Sequence, residues 1–107
     1  MRVEDHLHKI DAYKQILQNF DLNVILSSPA DAGSKLYQLC WQQEQLQQIK
    51  QEIEADMLSV RQTYQMTEDT RLASVLNRAL ADYDLIKTCA ANILLQLDMM
   101  QRQLKQH

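Results

Sequence analysis

Between residues 72 and 104 the apolar positions Leu72, Leu76, Ala79, Tyr83, Ile86, Ala90, Ile93, Leu97, Met100 and Leu104 follow one another at alternating spacings of four and three. None is charged, and no Gly or Pro lies between them. This is a heptad seam, and it predicts a long amphipathic helix whose apolar stripe is covered by another helix. Val75, Leu80, Cys89 and Leu94 flank the seam and widen it, whereas Leu85, Leu95 and Met99 fall on the opposite side. A two-helix contact leaves those three in water.

The same pattern, less regular, recurs upstream. Leu7, Ile10, Tyr13, Leu17, Phe20 and Val24 share a face opposite Lys9, Asp11, Lys14, Gln15 and Gln18, which predicts a first helix over about 3–26. Asp5 favours its positive end and stands one turn before Lys9. Ser27-Ser28-Pro29-Ala30-Asp31-Ala32-Gly33-Ser34 holds the only Pro and the only Gly, so the chain is expected to reverse there. Ser28 before Pro29, with Asp31 three places on, offers a capped start for the second helix, and Ser34 offers a later one. That helix is expected over about 29–66, with Leu36, Leu39, Leu46, Ile49, Ile53, Met57, Val60 and Tyr64 as its apolar face. Gln42 and Gln43 interrupt the face, and the surrounding Gln-rich run reads as solvated helix surface.

Thr67-Glu68-Asp69-Thr70 contains an N-cap candidate, and the heptad phase slips there, since Tyr64 and Leu72 are eight residues apart. A hairpin is therefore expected, with a third helix over about 68–105. The fold class predicted is all-α: one domain of residues 1–107, an elongated antiparallel three-helix bundle with a long coiled-coil-like hairpin. The second and third helices, at about 50–57 Å, outreach the first, at about 36 Å, and so are expected to project as a two-helix arm. Met57, Leu58, Val60, Tyr64, Leu72, Val75 and Leu76 lie on that arm and are expected to need cover from another chain.

Composition narrows the function classes. One Gly, one Pro and a formal net charge of -3 describe a nearly continuous helical chain without the basic excess that nucleic-acid binding draws on. Arg61, Arg71 and Arg78 are the only local support for a nucleoprotein subunit, and Glu68 and Asp69 sit among them. No run approaches the roughly 18 apolar residues of a membrane span. No signal-peptide core follows the first residues, so a soluble cytoplasmic protein is expected. His6 and His8 point to different sides of a helix and no further ligand joins them, so neither a metal nor another cofactor is predicted. Asp82 and Asp84 diverge and lack a base or nucleophile partner, which gives no sign of an enzyme. If the hairpin turns near Thr67, Cys40 faces a point about five residues from Cys89, which fits a disulfide poorly, and both are expected as buried or half-buried thiols, with an intermolecular bridge as the alternative.

The class expected is a non-enzymatic helical interaction protein, an adaptor, assembly subunit or small chaperone, binding a protein helix or a second copy as a homodimer. The candidate contact residues are Tyr37, Trp41, Val60, Tyr64, Leu72, Val75 and Leu76, with Tyr37 and Trp41 one turn apart and off the main apolar face. In size and composition the chain is similar to the small acidic helical chaperones of bacterial secretion systems, a likeness of class.

Overall fold

The computed structural model describes residues 3–20 and 22–106. Among these, four helices follow in order: α1 (Val3–Gln18), α2 (Leu22–Leu26), α3 (Ala32–Met66) and α4 (Thr70–Lys105). No strand occurs among the described residues, and the molecule measures 58 × 19 × 16 Å. The expected all-α, elongated hairpin architecture is what the chain adopts.

The hairpin is built on two seven-residue repeats. Leu39, Leu46, Ile53 and Val60 on α3 are fully buried, and Leu76, Tyr83, Ala90 and Leu97 on α4 match them in spacing and burial. Ala79 and Ile86 fill the alternate heptad positions of α4. Beside this repeat α3 carries polar side chains, and two of them bond across the bundle. Gln43 Oε1 accepts from Gln101 Nε2 at 2.8 Å, and Asp56 accepts from α1. At Gln43 the interruption is therefore a change of chemistry within the seam, whereas Gln42 lines the surface grooves beside Ile25.

The tip needs no Gly because no residue there enters the left-handed region. Thr67 caps α3 at φ -88, ψ 139, and Asp69 caps α4 at φ -79, ψ 115, both extended. The Asp69 carboxylate accepts from the backbone N–H of Arg71 at 2.9 Å and of Leu72 at 3.4 Å. Asp69, rather than Thr67, is thus the N-cap. At the other end Asp31 fills that role for α3, accepting from Ser34 N–H at 2.8 Å, so the helix starts between the two positions read from the sequence. That bond lowers the Asp31 pKa from its ordinary value by favouring the carboxylate.

The predicted first helix differs in two ways. It is not continuous to residue 26: the Asn19 N–H bonds both Gln15 and Ile16 carbonyls and the Phe20 N–H bonds Leu17, a tightening turn that ends α1. Asn19 is a poor helix former, and the break lets Leu22 and Ile25 turn inward while Val24 faces solvent. The inward face of α1 is also rotated. His6, Ile10, Tyr13 and Leu17 are buried and Leu7 is exposed, because a 4-3-4 spacing centres the stripe on His6.

Side-chain contacts fix the direction of α1. His6 meets Tyr83, Lys9 and Tyr13 meet Asp56, and Leu17 shares a groove with Ile86 and Ile93. Helix α1 therefore runs alongside α4 and opposite to α3, over the half of the hairpin that also carries α2. Lys9 reaches across the bundle, its Nζ 3.2 Å from Asp56 Oδ1. Cys40 and Cys89 are both exposed free thiols, correcting the expectation of burial. Cys40 Sγ approaches Gln101 Oε1 at 3.8 Å, so α4 lies about two turns further along α3 than a turn at Thr67 implies.

Candidate protein-binding surface

The seven candidate contact residues divide into three groups. Val60 and Leu76 are 0% and 1% exposed and belong to the hairpin core. The expectation that they need cover from another chain is corrected: α3 and α4 seal them against each other beyond the reach of α1. Leu72 is partly buried against the same core. Tyr64 and Val75 are exposed near the arm tip, with Leu58 and Met66 exposed on the same part of α3.

Tyr37 and Trp41 form the third group, at the opposite end. Their side chains point away from the seam because each lies off the stripe that Leu39 anchors. They are 74% and 51% exposed, an unusual position for the chain's only Trp. Trp41 and Tyr64 are 23 residues apart on one helix, about 35 Å at 1.5 Å per residue, so the two exposed groups are separate surfaces.

The surface around Tyr37 and Trp41 is concave. A groove of about 330 Å³ is lined by Ile25, Tyr37, Gln38, Trp41 and Gln42. It adjoins a second groove, of about 460 Å³, lined by Ile16, Asn19, Phe20, Leu22, Val24, Ile25 and Gln42. Ile25 and Gln42 line both, so the two form one recess across α1, α2 and α3. The break after α1 creates it: α2 turns Leu22 and Ile25 onto α3 and leaves Val24 at the rim. Lys35 Nζ donates to the Leu26 carbonyl at 2.8 Å and ties the end of α2 to the first turn of α3. None of these lining residues carries a charge. Apolar walls, exposed aromatic anchors and a few carboxamides are the chemistry of a protein-binding recess.

A second cluster, missed in the sequence, is polar and closed. His6 Nδ1 and the Tyr83 hydroxyl are hydrogen-bonded at 2.9 Å, with the rings edge to face. The Tyr13 hydroxyl donates to Asp56 Oδ2 at 2.9 Å beside the Lys9 ion pair. Burial lowers the His6 pKa from its ordinary value. Burial raises both tyrosine pKa values well above their usual range, aided at Tyr13 by the bond to the Asp56 carboxylate. No buried side-chain N or O atom among the described residues is left without a partner. The cluster fastens α1 to both long helices, and its polar groups are turned toward one another. Its one sequence signal was the 4-3-4 spacing that places His6 in line with Ile10, Tyr13 and Leu17.

Arg61, Arg71 and Arg78 are exposed around the arm tip, with Glu68 and Asp69 between them. Among the described residues no group of three His, Cys, Asp or Glu side chains is placed to hold a metal, and no helix is long and apolar enough to cross a membrane. Compared with family models, curated proteins and solved structures, the chain matches none.

Proposed function

We propose that this protein is a non-enzymatic helical interaction module, an adaptor, assembly subunit or small chaperone acting in the cytoplasm. It docks a protein partner in the recess bordered by Tyr37 and Trp41. The observation that carries this reading is the exposure of both aromatic side chains beside an uncharged recess, while the core closes without them. Trp and Tyr contribute disproportionately to interfaces because they bury large area with few rotatable bonds. An amphipathic helix or an apolar loop presenting one or two side chains to Ile25 and Gln42 fits the recess. The arm tip, with Tyr64, Leu72 and Val75, offers a smaller second contact to the same or another protein.

The test is site-specific photo-crosslinking in the native cell, with p-benzoylphenylalanine in place of Tyr37 and, as control, of Gln47 on another exposed face of α3. A discrete adduct at residue 37 that is absent at residue 47 is expected, and its partner is identified by mass spectrometry. Identical adduct patterns at both positions, or none at residue 37, overturn the proposal.

A further inference from the structure

Three side-chain links hold α1 on the hairpin: His6 to Tyr83, Lys9 to Asp56 and Tyr13 to Asp56. Of these the first is enclosed at both ends, with His6 3% and Tyr83 0% exposed. The Tyr83 hydroxyl bonds only His6 Nδ1 among the described residues, so its proton has an acceptor only when Nδ1 is bare and the ring neutral. A proton arriving at Nδ1 reverses the bond: the imidazolium donates, and the hydroxyl proton is left in a buried place without an acceptor. It also brings a positive charge into the interior, and no ion pair among the described residues includes His6. Asp56 on α3 and Asp5 on α1 favour that charge, but the Asp56 carboxylate is already held by Lys9 and Tyr13. Lys9 and the terminal amine oppose it, and Tyr83 faces it from α4 as a neutral hydroxyl. Burial outweighs these charges and holds the His6 pKa below its ordinary 6.5.

We propose that His6 makes α1 an acid-sensitive latch: protonation of the imidazole loosens α1 from the hairpin while the α3–α4 seam stays closed. The seam does not depend on α1, because Val60 and Leu76 are buried beyond its reach. The recess does, because Ile16 on α1 and Asn19 and Phe20 directly after it form one of its sides. Loosening α1 takes that side away, and acid then weakens the hold on a docked protein. This last step rests on the proposed function, whereas the latch itself does not. The docked state has its full advantage above pH 6.5 and loses it as pH falls toward the folded value, by up to about tenfold in the docking equilibrium for each pH unit.

The test is native-state amide exchange of the isolated full chain by NMR, from about pH 7.5 to about pH 5, above the range in which ordinary carboxylates take up protons. Opening equilibria are obtained by dividing out the pH dependence of exchange in an unstructured peptide. Amides of Ile10, Tyr13, Ile16 and Leu17 are expected to open more as pH falls below 6.5, by up to about tenfold per unit, while those of Val60 and Leu76 hold constant. Ile16 reports the side of the recess directly. His6→Gln and the His6→Phe,Tyr83→Phe double variant carry no imidazole at this position and are expected to show flat profiles, each standing in if the other loses its fold. Wild-type α1 amides that open equally at every pH overturn the proposal. So does an equal rise at Val60 and Leu76, which is unfolding of the whole chain, and so does the same rise in both variants, which assigns the effect to another group. No partner is needed, so failure to find one at residue 37 bears on the proposed function alone.

Discussion

Replacing Tyr83 by Phe removes one oxygen from a side chain that is 0% exposed, and the structure sets the cost. His6 Nδ1 loses the partner it holds at 2.9 Å, and His6 is itself buried, so water does not readily take the place of the hydroxyl. The ring of Tyr83 keeps its packing, which limits the loss to one hydrogen bond and the stranding of a buried imidazole nitrogen. That penalty is about 1–3 kcal/mol. For a domain of this size each kcal/mol lowers the melting temperature by about 4–8 °C. Urea denaturation followed by circular dichroism measures the change directly. The companion His6→Phe,Tyr83→Phe double variant strands neither group, so its loss is expected to be smaller than the sum of the two single losses. A Tyr83→Phe chain within about 0.5 kcal/mol of wild type, or strict additivity in the double variant, would refute the buried bond and the docking of α1 built on it.

Four other outcomes follow from the same geometry. His6 has a folded pKa below its ordinary 6.5, chiefly through burial, so the unfolded chain binds its proton more tightly. The His6 contribution is therefore fully present above pH 6.5 and is lost as pH falls toward the folded value; a His6→Phe chain should lack this part of the acid dependence in denaturation across that range. Ile53→Ala opens the fully buried seam and is expected to cost about 2–5 kcal/mol by denaturant titration, whereas Leu95→Ala, on the exposed face, should stay within about 0.5 kcal/mol in the monomer. Asp69→Ala removes the N-cap of α4 and is expected to cost about 1 kcal/mol, with faster amide exchange at Arg71 and Leu72. Cys40 and Cys89 should both react with a thiol reagent in the native state, and slow reaction at either would contradict its exposure.

The hairpin was legible because its determinants are periodic. Leu76, Ala79, Tyr83 and Ile86 repeat with the period of a packed helix, and Leu39, Leu46, Ile53 and Val60 repeat every seven residues. The shortness of the first helix predicts an exposed surface at Val60 and Leu76, but both are buried because two helices suffice to close an a/d seam. The break at Asn19 was obscured by apolar Phe20 and Val24, which prolong an apparent stripe past the end of α1. His6 and Asp56 could not be found by searching for apolar positions, since each occupies an interior place by bonding to a residue distant in sequence. Tyr37 and Trp41 were legible for the opposite reason. They are large aromatic residues off the apolar phase of their own helix, and the structure leaves both in solvent. The recess beside them was not legible, because it depends on the turn of α2.

Trp41, the only Trp in the chain, makes the central claim measurable in one experiment: acrylamide quenching of its fluorescence in the isolated protein and again in the complex recovered by cross-linking at residue 37. The account predicts a red-shifted, readily quenched indole in the isolated chain that becomes blue-shifted and protected in the complex. A Trp41 already protected in the isolated monomer, or equally quenchable with the partner bound, would contradict it.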